Sequence, residues 1–261
     1  NYCEVRLQSV NIKGSGEGTA PQAGSLINIA GSGARLYLDK DTCTGAPDYV
    51  NGPTLSGNVK SGNGSAINLE QGRLQISAGT IENNAAIGAD AYGGGIYYKP
   101  DTGIETTTLV LSGSPVIQDN YKAVDTQAET AQTASNIYTG SQLFEVDGDF
   151  GADAAIGVYS SISAGNKIGT NMKAGGEDIA NLSVISCDLD SKLYATKGTG
   201  ADIVWATAVC RIGDVYYNTL QDAVNAVPSN VPGELAYIEM LVDKYEISAA
   251  ITFNTGDFGK G

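Results

Sequence analysis

The feature that most constrains this chain is a phrase that keeps returning. "RLQSVNIKG" from Arg6, "RLYLDKDTCTG" from Arg35, "RLQISAGTIENN" from Arg73 and "TLVLSGSPVIQDN" from Thr108 each set a short apolar-alternating strand before small turn residues. Ahead of the last three stand "SLINIAGSG", "SAINLEQG" and "GGGIYYKPDTG", and "SNIYTGSQLFEV" continues the series from Ser135. The unit returns at roughly 30 to 40 residues, a period expected of repeat architectures. Equivalent positions carry the same chemistry: Leu36, Leu74 and Leu109 form one set, and Ile67, Ile96 and Ile137 another. Stacked coils of parallel strands bury such sets as columns, so the repeat predicts an all-β solenoid.

Within one unit, Leu74 to Tyr98, the order of residue types has a mechanical reading. The strand supplies inward side chains, and "SAGTI" turns a corner into a second short strand. Asn83 and Asn84 suit the next turn, because asparagine tolerates left-handed dihedrals and its amide can bond to the neighbouring coil. Gly93, Gly94 and Gly95 admit a tight bend where one backbone passes close to another.

These residues also carry a resemblance. "GGGI" with "TIENN" resembles the Gly-Gly-Ile and Phe-x-x-Asn repeats of polymorphic outer-membrane adhesins. The series "GTIENN", "GGGIYY", "LVLSGSPVIQDN", "SNIY" and "AAIGV" is similar to the right-handed parallel β-helix regions of large surface proteins from gut Gram-positive bacteria, over about residues 5 to 160. The resemblance implies an exported, pectate-lyase-like right-handed parallel β-helix with no assigned activity. The cysteines depart from that pattern.

Composition narrows the chemistry. The net charge of -14, with 15 basic residues, repels nucleic-acid backbones and anionic lipid, so neither is an expected partner. No apolar run reaches the length of a membrane helix, so membrane insertion is not expected either. The 261 residues include no His, which removes the commonest general base and His-containing nucleophile pairs. Four cysteines, Cys3, Cys43, Cys187 and Cys210, lie far apart without a CxxC spacing. Few lysines, many small polar residues and a low pI point to a secreted or cell-surface protein, where disulfides persist.

A second segment begins near Trp205, so residues 1–204 are expected to form the solenoid and 205–261 the start of a second module or a cap. A strand pair around Tyr216, a helix from about Thr219 to Ala226 capped by Asn218 or Thr219, and strands near Ile238 to Leu241 and Ile251 to Phe253 are predicted. The chain opens on a strand already in the repeat pattern and closes after an incomplete coil. Both ends therefore read as edges covered by further sequence or by end-to-end neighbours.

Three site candidates follow. Asp147, Asp149 and Asp153 in "DGDFGAD" supply the hard oxygen density that Ca²⁺ prefers, though Val158 stands where an EF-hand has its bidentate Glu. Tyr92, Tyr97 and Tyr98 flank the glycine run and suit sugar or protein contact, and one of the adjacent pair must face outward on a strand. Cys187 and Cys210 flank a hairpin-like segment turning on Gly198 and Gly200 and are the expected disulfide. No other cofactor is expected. Polygalacturonase-like hydrolases resemble one another in an adjacent Asp pair and a Gly-His-Gly motif, both missing here, and the basic residues that a lyase would need are few and scattered. The sequence therefore reads as a non-catalytic structural or adhesive module for host glycans or proteins. The alternatives are a carbohydrate-active enzyme and a self-assembling fibre subunit.

Overall fold

The computed structural model describes residues 3–15, 20–40, 52–98, 107–126, 132–213, 215–227, 237–246 and 249–252. The repeat is expressed as stacked parallel strands. Cys3–Leu7, Ile27–Leu38, Ile67–Glu82 and Thr108–Ile117 pair in sequence, all parallel. Leu36 lies opposite Leu74, and Leu74 opposite Leu109; Ile67 lies opposite Ile96, and Ile96 opposite Ile137. All six side chains are buried. The period-two alternation sends every second residue of these strands to one apolar interior, which Phe144, Ile156, Ile168 and Trp205 also fill.

The expected right-handed parallel β-helix is not what the strands build as a whole. The main sheet closes on itself as a ten-strand barrel of mixed direction. From Ile67–Glu82 the hydrogen-bonded path runs through Ile96–Tyr98, Ile137–Gly140, Ala155–Ser160 and Ile185–Cys187, all parallel. It then passes antiparallel through Leu193–Lys197, Asp202–Thr207 and Lys167–Asn171. It returns parallel through Phe144–Phe150 and Thr108–Ile117 to Ile67–Glu82.

The physical reason lies in residues 163–207, which the repeat does not reach. Leu193–Lys197 and Asp202–Thr207 are joined by a four-residue turn in which the Gly198 N–H donates to the Asp202 carbonyl. A link that short allows only antiparallel pairing, whereas parallel neighbours need a crossover of a dozen or more residues. The long strands do the rest: Ile67–Glu82 and Thr108–Ile117 change register near Ala78 and Ser114, so their two halves serve different stretches of the barrel wall. At that corner Gly113 has φ 68°, and a Cβ there would sit 2.1 Å from the Ser77 carbonyl oxygen.

A second sheet, Val59–Ser61, Ala85–Ile87, Tyr121–Ala123 and Thr133–Ala134, lies beside a file of buried asparagines. The backbone N–H of Asn58 donates to Asn84 Oδ1, that of Asn84 to Asn120 Oδ1, and that of Asn120 to Asn136 Oδ1. Side-chain amides of Asn84 and Asn120 add bonds along the same file, and Asp188 ends it by accepting from Asn136. Gly57, Asn83 and Asp119, each immediately before a member of the file, have left-handed φ values of 69°, 56° and 55°. The turn thus aims each amide at the next, as expected for Asn83 and Asn84. Gly94 and Gly95 pass close to other chain segments, with added Cβ atoms 2.3 Å from the Tyr121 carbonyl oxygen and 2.5 Å from that of Asn136.

The strand Asp202–Thr207 runs across the expected 204/205 boundary, and its Trp205 is fully buried in the barrel core. Beyond it, Cys210–Ile212 pairs antiparallel with Val215–Tyr217 and with Glu239–Met240. The helix Leu220–Ala226 is capped by Thr219, whose side chain accepts from the Asp222 N–H. Ile251 and Thr252 are not in a strand, and Phe253 lies outside the described residues.

Candidate functional site: a tyrosine strip on the outer face

Three strands of the barrel wall carry the same pair of residues in register: Ile96–Tyr97, Ile137–Tyr138 and Val158–Tyr159. The aliphatic member is buried and the tyrosine faces outward, half-buried. Adjacent strands lie about 4.8 Å apart, so aligned rings must meet. The Tyr97 and Tyr138 centroids are 5.3 Å apart with planes 2° from parallel, and those of Tyr138 and Tyr159 are 5.7 Å apart.

Tyr92 joins from the loop ahead of the glycine run, where its N–H donates to Asn63 Oδ1 at 2.9 Å. Its ring stacks on Tyr138 at 4.5 Å and meets Tyr159 edge-on at 5.4 Å. Lys122, from the second sheet, lays its ammonium over the Tyr92 ring at 3.7 Å and lies 5.6 Å from the Tyr159 centroid. Among the described residues no carboxylate pairs with it, while Arg6, Arg73, Lys167, Lys173, Lys197 and Arg211 each have one.

Burial and then neighbouring tyrosines raise the Tyr97, Tyr138 and Tyr159 phenols above the ordinary range, with Asp188 also acting on Tyr159. These phenols stay protonated at neutral pH and can donate as well as accept. Because the rings stack on one another, the strip presents mainly ring edges and hydroxyls.

Of the three tyrosines expected from the sequence, the structure brings Tyr92 and Tyr97 together and turns Tyr98 inward. Tyr98 is 4% exposed, with its hydroxyl 3.3 Å from the carbonyl oxygens of Thr107 and Leu143. Burial first and Glu145 second push its phenol up to about 12. Tyr138, Tyr159 and Lys122 were not among the expected residues. The recurrence of an aliphatic residue followed by Tyr could have found the two tyrosines. Lys122 arrives from another sheet and leaves no such mark.

The other candidates do not assemble. Asp149 is engaged by Lys173 Nζ at 2.9 and 3.0 Å and by the Ala180 N–H at 2.8 Å. The Ala180 N–H first and Lys173 second hold its carboxyl below the usual range. Asp147 and Asp153 point to solvent, and among the described residues no group of three acidic, Cys or His side chains could hold a metal. The expected Ca²⁺ site is therefore corrected to an ion pair and two solvated carboxylates.

The expected disulfide is corrected as well, since Cys187 and Cys210 are both free and buried. Cys187 ends a barrel strand with Sγ 3.9 Å from the Ser160 carbonyl oxygen, whereas Cys210 belongs to the C-terminal sheet with Sγ 3.7 Å from that of Thr219. The intervening hairpin forms as expected but sends its flanks into different sheets. Cys43 lies outside the described residues.

A cleft of about 350 Å³ opens near that hairpin, with the Tyr194–Tyr216 stack and the Lys197–Asp178 ion pair in its lining. No protein-family model matches the chain, and no curated protein or solved structure is significantly similar to it.

Proposed function

We propose that this chain is a non-catalytic binding module of a secreted or surface-anchored protein, with the barrel as rigid support and the tyrosine strip as its contact surface. The observation that carries this reading is the gathering of Tyr92, Tyr97, Tyr138 and Tyr159 on one outer patch. Tyrosine supplies contact area at a small cost in side-chain entropy, and each ring adds a hydroxyl that can donate and accept. Three of the four stand on strands paired on both sides, so the patch is held before a partner arrives. The absence of His from the whole chain also favours binding over acid–base turnover.

Adhesion of beads coated with the purified chain to surfaces carrying glycans or glycoproteins tests the reading, with Tyr138→Ser as the comparison. Retention by the native chain and loss in Tyr138→Ser is the expected result, and equal retention by both overturns it. New reducing ends or unsaturated-product absorbance from an acidic polysaccharide incubated with the chain would replace it with an enzyme.

A further inference from the structure

We infer that the tyrosine strip takes a glycan bearing a carboxylate, a uronate or a sialate-type sugar, and that Lys122 is the residue that selects the acid. This rests on the strip being a contact surface. Its first support is the setting of Lys122. The chain has 29 acidic residues against 15 basic ones, so a carboxylate partner is easy to supply; Arg73, Lys167, Lys173 and Lys197 each have one, and among the described residues Lys122 has none. Lys122 is half-buried yet faces the Tyr92 and Tyr159 rings, and its register neighbours across the sheet are Ala86 and Thr133. Ring faces attract an ammonium less strongly than a charge-assisted hydrogen bond to an anion does. Among the described residues the ammonium is thus oriented by the rings alone, which leaves its charge for a ligand.

The second support is the form of the surface. Tyr97, Tyr138 and Tyr159 lie in mid-sheet, where both backbone edges of each strand are used, so an extended peptide cannot add itself as a strand. What the strip offers is a row of phenol hydroxyls and ring edges about 10 Å long across three strands. Such a row of phenol hydroxyls matches the hydroxyls of a short run of sugars, with Lys122 beside it to receive a carboxylate. The net charge of -14 opposes an anion at long range, but at physiological salt charges beyond about 8 Å are largely screened and the nearest cation dominates.

The test is an array of uronate- and sialate-terminated glycans printed beside their methyl esters, probed with the intact chain and with Lys122→Gln, Lys122→Arg and Tyr138→Ser. The expected result is retention on the free acids at least about tenfold above the esters, lost in Lys122→Gln, kept in Lys122→Arg and lost in Tyr138→Ser. Equal retention on acids and esters, unchanged in Lys122→Gln but lost in Tyr138→Ser, overturns the acid selection and leaves the strip as a contact surface. Retention undiminished in Tyr138→Ser overturns both. No retention of the native chain on any acid overturns the inference.

Discussion

Asn136 gives both of its donors to Asp188: its backbone N–H lies 2.7 Å from Oδ2 and its amide nitrogen 2.8 Å from Oδ1. This pair closes the asparagine file, and it places a carboxyl where the inner positions hold amides. Burial raises the Asp188 pKa from 3.8 to about 6, against the two bonds from Asn136, which pull it down.

The native state therefore holds this proton more tightly than the unfolded chain does. The contribution of Asp188 to stability is most favourable below pH 4, falls as the pH rises from about 4 to about 6, and is flat above. Across that window the loss is on the order of 2–3 kcal/mol. Asp188→Asn leaves an amide oxygen that can accept both donors, as Asn120 Oδ1 does from Asn84. Urea unfolding at pH 4, 5, 6 and 7 is expected to show the variant without this fall and more stable than the native chain at pH 7. An identical pH slope in both proteins would falsify the assignment.

The inner file is more costly to cut. Asn120→Ala removes the acceptor of both Asn84 donors and leaves the Ile81 and Gln118 carbonyls without the Asn120 amide. With each buried orphan costing about 1–3 kcal/mol, a loss of about 3 kcal/mol or more is expected from denaturant midpoints. A loss below 1 kcal/mol would mean that water replaces the side chain.

Leu74→Ala probes the stacked column. Leu74 is fully buried between Leu36 and Leu109, and its truncation leaves a cavity that neighbouring strands, pinned by their hydrogen bonds, fill poorly. The expected cost is about 2–5 kcal/mol with an unchanged unfolding slope.

Two glycines separate crowding from dihedral strain. Gly57 and Gly113 have φ values of 69° and 68°, but a Cβ meets nothing within 4 Å at Gly57, whereas at Gly113 it strikes the Ser77 carbonyl oxygen. Gly57→Ala is expected to cost about 1–2 kcal/mol and Gly113→Ala clearly more, read from paired thermal unfolding curves. Equal costs would remove the close corner between Thr108–Ile117 and Ile67–Glu82.

Much of the local order was legible in the chain. The repeated phrases carry the alternation that sets Leu36, Leu74 and Leu109 in one column, because register follows side-chain direction and a slip by one residue would turn the column outward. The asparagine turn, the glycine close approaches and the fact that one of Tyr97 and Tyr98 faces outward were readable for the same reason, since each depends on a few consecutive residues; which of the two tyrosines turns in was not. The site was legible only in part: Tyr92 and Tyr97 stand beside the glycine run that drew attention to them, whereas Tyr138 and Tyr159 come from later strands and Lys122 reaches the strip from another sheet, which no periodicity spans.

What the sequence by itself determined is therefore the strand phrase, its turns and the parallel stacking of equivalent positions, all consequences of short-range dihedral preference and apolar spacing. Only the tertiary structure decided that the wall closes. The non-repeating strands Lys167–Asn171, Leu193–Lys197 and Asp202–Thr207 pair antiparallel with one another, and Lys167–Asn171 joins the parallel strand Phe144–Phe150, bringing the far edge back to Thr108–Ile117 and Ile67–Glu82. Closure satisfies backbone donors and acceptors that an open sheet would leave exposed, and which strand supplies the partners is set by long-range pairing rather than by any local pattern.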